Sequence, residues 1–539
     1  HAIIRGVGLS NDGRGRGMLV PSSAGQILAM RQAFDVAGLD PTDISLLECH
    51  ATGTRIGDAT ELESSAQIYK RCADLPIGSL KSNTGHLITA AGVAGVIKVI
   101  EAIRHEVRPP TLHVEHTLDA LEGSPFRVLS AAEPWRRTDA PDGILRAGIS
   151  AFGFGGNNAH LILEEPGSAT ALLGAPRPSQ KMAVPVAIVG IGICAAAAVG
   201  HQAFSDAFIG ESVCLDTDGA GRMPDIELRL SAQKFPPNDL KAALSQQLVM
   251  LQVTDEALEQ SGPLPRDTTG IYVGMGTDPQ AARFGIRWRV AALECEGDPP
   301  DWAGRARDAI GPVLKAAGVL GAMPNLIANR LNSQYDIAGT SFTISSEEHS
   351  GLDALDVAVR SLRVGDIDAA MVGAVDLSCD PAHRVAAELV LPEDRQTPGD
   401  AAVMLVLKRL DDAERDGNTV HAVICSERVD DDGIGLTRHS DLRLGLGSNA
   451  VSVSHLFGHA HAASGLVHVA AAAVALHHRV SIGDVPLVAS NPEIGTGLPN
   501  GAGPRTVSVE TTSFDGIVSR SILLAEATDH LAPSRLEPP

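Results

Sequence analysis

Aromatic side chains are scarce in this chain: 3 Trp, 3 Tyr and 11 Phe among 539 residues, against 55 Gly. That balance implies helices and strands packed closely through small side chains. There is no basic tract, and the formal net charge is −22. Nucleic acid and anionic membrane surfaces are therefore poor candidate partners, while a protein docking through local basic patches stays open. The seven cysteines form no CxxC pair and no framework spacing, which argues against a disulfide scaffold or a zinc ribbon and fits a reducing cytoplasm. No signal peptide is visible. The longest apolar helix candidate, Leu466–Leu476, falls short of the about 20 residues a membrane span needs and reads as a buried helix. Hydrophobic residues at 44% and charged residues at 20% mark a globular chain, long enough for two or more domains. Because the sequence opens in mid-strand at His1, it is expected to be a piece of a longer cytoplasmic polypeptide.

A first unit is expected over residues 1–165, with a strand at Ala2–Gly6, a helix over Ala24–Ala37 and a short strand at Ile44–Glu48 that ends in a polar loop. Residues 166–184 are rich in Pro, Gly, Ser and Ala and read as a linker. A new unit starts at Val186–Gly190, a buried strand expected to run into a glycine turn. Helical patterns (Asp239–Gln260, Asn325–Tyr335, Gly351–Val364) then alternate with apolar strands (Gly270–Val273, Ala369–Val372, Ala402–Leu407), which predicts a layered α/β architecture over 185–527. Residues 528–539 form a tail expected to fray.

One motif occurs twice. Gly85-His86-Leu87-Ile88-Thr89-Ala90-Ala91-Gly92 and Gly458-His459-Ala460-His461-Ala462-Ala463-Ser464-Gly465 each open an apolar run that ends near Arg-His or His-His. Their separation, 458 − 85 = 373 residues, suits two related domains. His1-Ala2-Ile3-Ile4 likewise resembles His421-Ala422-Val423-Ile424, at an offset of 420, so the second copy lacks 420 − 373 = 47 residues between these points. The missing stretch is expected to include the counterpart of the loop at His50.

Three polar clusters mark the first unit: Glu48–Thr54, Lys81–His86 and Gly153–His160. Two histidines and a lysine on glycine-rich loops at strand ends can direct N–H donors at one small anion. Such donors stabilise an enolate or oxyanion as charge develops in a transition state. The Gly-Phe-Gly-Gly turn lets backbone N–H groups come close, as an oxyanion hole requires.

These residues resemble the β-ketoacyl synthases of polyketide and fatty-acid synthases, whose pattern is HGTGT, KSNxGHxxxAxG and GFGGTNxH in that order. Here the first motif reads His50-Ala51-Thr52-Gly53-Thr54, with Ala for the first Gly, and Asn157 replaces the Thr of the third. The resemblance implies that His50 and His86 assist decarboxylation of a malonyl thioester and stabilise its enolate. It further implies that Lys81 fixes the polar network around His86, and that Phe154, Gly155 and Gly156 form the gate and oxyanion turn. Residues 1–165 would be the C-terminal half of the domain, with the nucleophilic Cys upstream of His1. Cys49 and Cys72 do not occupy its motif, so this piece alone is expected not to condense.

Residues 185–527 resemble the same family over almost their whole length. The nucleophile segment of the family, GPSLTVDTACSSSL, reads here Gly339-Thr340-Ser341-Phe342-Thr343-Ile344-Ser345-Ser346-Glu347-Glu348-His349-Ser350-Gly351-Leu352, placing Glu348 where the Cys belongs. A carboxylate there is no thiolate and would repel a malonyl carboxylate. The lysine position becomes Ser454, the glycine turn becomes Phe514-Asp515-Gly516-Ile517, and His459 alone survives. This pattern resembles a chain-length factor. A ketosynthase fused to such a domain resembles polyunsaturated fatty acid synthases and iterative polyketide synthases.

The fold implied is the thiolase-like layered αβαβα fold, present as a partial copy followed by a near-complete degenerate copy. The parent reaction would be decarboxylative Claisen condensation of a malonyl carrier protein with an acyl-cysteine. Acyl carrier protein, malonyl and acyl thioesters, a ketosynthase/chain-length-factor pseudo-dimer and higher dimerisation in the parent are the implied partners. No tightly bound cofactor is implied, the phosphopantetheine arm belonging to the carrier protein. A non-elongating ketosynthase pair and a purely structural scaffold are the alternatives. Bland readings also stand: His459 as a packed residue, and Gly190-Ile191-Gly192 as an imitation of a dinucleotide fingerprint. The spacing of His455, His459 and His461 suits a metal, but with no carboxylate or Cys beside them in sequence no metal is expected.

Overall fold

The computed structural model describes residues 1–167, 184–293, 301–315, 318–425, 428–429, 435–436, 440, 442–446, 450–478, 480, 506–513 and 519–526. The expected tail at 528–539 and nearly all of the expected linker lie outside these residues. The chain divides into two compact units, His1–Ser179 with Asn329–Ser341, and Gln180–Ala328 with Phe342–Pro539. The stretch read from sequence as one domain, 185–527, thus contains a short segment, Asn329–Ser341, that belongs to the first unit.

The first unit is built on a six-stranded sheet in the order Ile3–Asn11, Asn157–Glu164, Arg146–Phe152, Leu46–Glu48, Leu75–Gly78, Phe126–Val128. The first three strands are antiparallel and the rest join in parallel, with Leu47 opposite both Gly148 and Ile77. Successive strand residues point to opposite faces, and Leu46 and Leu47 divide accordingly between two cores. Leu47 packs with Met30, Phe34, Tyr69 and Ile162. Leu46 packs with Val99, Ile103, Trp135 and Leu163. Helices Ser23–Ala37 and Ala91–His105 supply the residues that cover these two faces. Chemistry-bearing loops emerge where the short parallel strands end, at Glu48 and Gly78.

In the second unit one sheet runs in the order Ser341–Ile344, Thr269–Met275, Ala369–Leu377, Asp400–Arg409, Val186–Ala195, Ala422–Ile424, Ser519–Ala525, Thr506–Thr512, Leu442–Gly445. Helices Ser350–Val364 and Ser464–His478 share its main core. Every residue from Ser464 to Leu476 is buried, as expected of a helix that is apolar all round. Among the described residues no helix is long and apolar enough to cross a membrane. The thiolase-like α/β reading holds for this chain.

Small side chains do the packing that the composition implied. A Cβ on Gly8 would lie 1.8 Å from the carbonyl oxygen of Ala29, and one on Gly192 would lie 1.8 Å from that of Val253. In each unit the opening strand therefore rests directly on a helix backbone. This also corrects the expected turn at Gly190: the strand continues unbroken to Ala195, and its glycines serve close helix approach. A second correction concerns the helix expected over Asp239–Gln260. It is two helices, Pro237–Lys241 and Ser245–Ser261. The break is fixed from afar, because Leu244 N donates to the Gly321 carbonyl (2.9 Å) and Gln247 Nε2 donates to the carbonyls of Gly321 and Met323.

Candidate active site and its degenerate counterpart

His50 follows the strand Leu46–Glu48 in a loop held from below by one buried carboxylate. Glu61, on helix Arg55–Ile68, accepts from the backbone N–H of His50 (2.7 Å) and of Ala51 (2.8 Å). Burial raises the Glu61 carboxyl to about 7, against the opposing pull of those two amides. Ala51, where the resembled pattern has Gly, takes a positive φ of 20°. Glu48 ties the neighbouring loop down, accepting from Leu80 N (2.7 Å) and from Lys98 Nζ (2.6 Å).

Lys81 opens the four-residue helix Lys81–Thr84, and Gly85 ends it at φ 75°, which turns the chain so that His86 follows. The Ile88 N–H donates to His86 Nδ1 at 3.0 Å, so Nδ1 is the acceptor and Nε2 is left as the ring's donor. The His50 and His86 rings lie 5.8 Å apart, edge to face, and His50 also contacts Phe152 at 5.8 Å. Burial, with Lys81 and His86 nearby, lowers the His50 pKa to about 4. At neutral pH it is therefore an uncharged imidazole able to donate one hydrogen bond. Burial likewise lowers the Lys81 pKa. The structure thus places His50, His86 and Lys81 at one spot.

The Gly153–Gly156 turn joins the two central antiparallel strands. Gly155 and Gly156 hold φ of 100° and 93°, open to glycine alone at low cost. Phe154 at its tip is 56% exposed. A polar network missed by the sequence reading fixes this turn. Asp12 N donates to Gly156 O (2.9 Å), Asn158 Nδ2 to Asp12 Oδ1 (2.8 Å), and Asn329 Nδ2 to Gly155 O (2.9 Å). Asn157 Oδ1 accepts from Asn11 Nδ2 and from Ser341 Oγ, each at 2.8 Å. Only the Asn-rich composition of these stretches hinted at it. His160, third histidine of the motifs, is a core residue between Tyr69 and Ser150, its pKa lowered by burial to about 3.

The repeat is structural as well as sequential. Helix Lys81–Thr84, the 3-10 turn Ile88–Ala90 and helix Ala91–His105 recur as Ser454–Phe457, His461–Ala463 and Ser464–His478, each 373 residues on. Gly458 even repeats the dihedral angles of Gly85. Ser454 opens its short helix where Lys81 opens the first, and it is buried. In this unit the strand Leu442–Gly445 is parallel to Thr506–Thr512, as Leu46–Glu48 is to Arg146–Phe152. From Gly445 the chain has only residues 446–453 before Ser454. The first unit spans the same gap with the His50 loop, a helix and a strand. The replacement turn at Phe514–Ile517 lies outside the described residues.

Glu348 lies just ahead of helix Ser350–Val364 with no exposed surface. Arg395 donates to its Oε2 at 2.7 Å and also to the carbonyls of Thr512 and Leu446. His459 Nε2 stands 3.0 Å from the other oxygen, Oε1. Burial pushes the Glu348 carboxyl up, but the neighbouring His459 and Arg395 outweigh it and hold the pKa below the usual range. Burial lowers the His459 pKa in turn, against the opposing pull of Glu348. His459 is packed, as its bland reading had it, yet it faces Glu348. Sequence reasoning missed Arg395, which is 47 residues from Glu348.

The model of the "Beta-ketoacyl synthase, C-terminal domain" matches residues 1–115, and that of the "Beta-ketoacyl synthase, N-terminal domain" matches residues 183–390. The chain belongs to the β-ketoacyl synthase family. "Polyketide synthase GfsA" of Streptomyces halstedii is 44% identical over 176 residues, covering 32% of this chain and 2% of that protein. A polyunsaturated fatty acid synthase component of a Thraustochytrium species is 30% identical over 421 residues, covering 70% of this chain and 20% of that one. The chain thus spans a small fraction of these relatives' length. The solved structure "PfaC Keto synthase-Chain length factor" superposes with a TM-score of 0.79 at 22% identity, over 97% of this chain and 62% of that one. That likeness establishes the fold. Within the β-ketoacyl synthase chain, the C-terminal-domain match falls on the unit carrying His50, Lys81 and His86. The N-terminal-domain match, over residues 183–390, covers the stretch that contains Glu348.

Proposed function

We propose that residues 1–165 form the C-terminal half of a condensing ketosynthase, and that residues 185–527 form a non-condensing, chain-length-factor-like partner within a polyketide or polyunsaturated fatty acid synthase. The observation that carries this is the convergence of His50 and His86, each able to donate a ring N–H, in one unit, against Glu348 paired with Arg395 in the other. Two imidazole N–H groups at this separation can both reach the thioester oxygen of a malonyl group on the phosphopantetheine arm of an acyl carrier protein. The C–C bond to the carboxylate breaks, CO2 leaves, and the electron pair becomes an enolate whose oxygen both donors stabilise. The enolate carbon then attacks the acyl-cysteine carbonyl. The new C–C bond forms, the cysteine thiolate departs, and it regains its proton.

The two cysteines of the first unit do not suit that thiolate role. Cys49 is fully buried with its pKa pushed well up by burial, and burial raises Cys72 to about 11. The acyl group is carried by a cysteine outside residues 1–165. In the second unit a buried carboxylate cannot form the acyl-thioester and repels malonate, so that unit serves as partner and shapes chain length. Decarboxylation of malonyl carrier protein by the complete condensing domain tests this reading. Replacing His50 or His86 by Ala should each lower the rate on the order of 100- to 1,000-fold, and Arg395→Met/Glu348→Leu, which removes both partners of the buried pair, should leave it unchanged. Full decarboxylation in a His50→Ala/His86→Ala double variant would refute the assignment.

A further inference from the structure

The histidines of the degenerate site have a carboxylate beside them after all. Glu348, His459 and His461 each offer one ligand atom within 4.8 Å of the other two. Glu348 Oε1 and His459 Nε2, both fully buried, face each other as an ion pair at 3.0 Å without the alignment of a hydrogen bond, and among the described residues neither atom has a hydrogen-bond partner. Two buried, unpartnered lone-pair atoms at that separation are what a tetrahedral ion requires, since bonds of about 2.0–2.1 Å set neighbouring ligands a little over 3 Å apart. We infer that Glu348, His459 and His461 form a divalent transition-metal site of the zinc type, with its fourth position open.

The surroundings fit such an ion. Arg395 and its hydrogen bond at 2.7 Å hold Glu348 Oε2, which leaves Oε1 turned toward His459, the arrangement by which an outer partner orients a ligand. Ser464 Oγ, 3.3 Å from His459 Nδ1, orients that ring in the same way. Glu347 lies 2.8 Å from His461 Nε2, which leaves Nδ1 of that ring, buried and without a hydrogen-bond partner among the described residues, as the atom able to ligate, and His383 stacks edge-on against the same ring. His461 and Glu347 both hold positive φ (34° and 51°), a strained backbone typical of functional sites. Of the three ligands only His461 has an appreciably exposed side chain, at 12%, so the open position lies on its side.

Cobalt(II) is the probe. The whole chain, stripped with a chelator and checked for retained circular dichroism, should bind one cobalt ion with the visible d–d bands of a tetrahedral site, and zinc should bleach them. His461→Ala removes a partly exposed ligand and should weaken binding about 100-fold. Arg395→Lys should weaken it less, and His477→Gln/His478→Gln should not alter it. Absence of tetrahedral bands, equal affinity in His461→Ala, or loss of binding in the His477/His478 variant would each overturn the site. None of these readouts depends on condensing activity.

Discussion

Replacing Arg395 by Met should destabilise the second unit severely, and the structure sets the size. Among the described residues the guanidinium is the one cation hydrogen-bonded to Glu348, a carboxylate with no exposed surface. Its removal leaves a buried charge uncompensated, at a cost of about 3–5 kcal/mol. Two backbone carbonyls, Thr512 O and Leu446 O, also lose donors, each worth about 1 kcal/mol. Taking the charge away as well, in Arg395→Met/Glu348→Leu, should restore most of the loss, leaving a deficit of about 2 kcal/mol from the carbonyls. The double variant should therefore be more stable than the single one, a coupling of several kcal/mol. Hydrogen exchange followed by mass spectrometry, on chelator-treated protein, reads the unit locally through helix Ser350–Val364 and strand Asp400–Arg409. An Arg395→Met variant within about 1 kcal/mol of the parent would refute the buried-ion-pair account, as would additivity of the two changes.

Other expectations are as direct. Gly192→Ala places a methyl 1.8 Å from the Val253 carbonyl oxygen, and overpacking against backbone should cost about 3 kcal/mol or more, seen as a lowered urea midpoint. Ala51→Gly relieves a positive φ and should stabilise the His50 loop by about 1 kcal/mol, measured by exchange of the His50 and Ala51 amides. Native His160 stays neutral down to about pH 3, whereas an unfolded histidine protonates near 6.5. The unfolded state then binds more protons between these values, so the first unit loses stability as pH falls from about 6.5 toward 3. His160→Gln should reduce that slope by one proton in urea titrations at successive pH values; an unchanged slope would mean that native His160 protonates normally. With His50 at about 4, the pH profile of malonyl decarboxylation should show no inflection from His50 between pH 7 and pH 5.

Legibility in the sequence followed the range of the interactions. The Gly-His repeat was readable because a short helix, a glycine at positive φ and an apolar helix are all local devices, and they recur at one offset of 373 residues. The strands at 269–275, 369–377 and 400–409 were readable because burial on both faces writes continuous apolar runs. The break before Ser245 was not, since its hydrogen bonds go to residues 320–323. Nor was Arg395, whose partners Glu348, Leu446 and Thr512 meet only in three dimensions. Nor was the proximity of Glu348 to His459 and His461, since ligands counted along the chain do not bring residues 348 and 459 together. A signal existed: on the resemblance read from the sequence, Glu348 and His459 take the places of the family's Cys and second His, groups expected to converge on one reaction. The segment Asn329–Ser341 kept its distance from the first unit in sequence, and the Asn329 bond to the Gly155 carbonyl could not be foreseen.

The most direct test of a condensing unit joined to an inert partner is the mapping of acyl adducts by peptide mass spectrometry, after the complete condensing domain carrying this chain is exposed to an acyl thioester. The account predicts an adduct on a cysteine outside these residues and none anywhere in 185–527. A covalent acyl adduct within 185–527 would show that the second unit handles chains itself and would contradict the account.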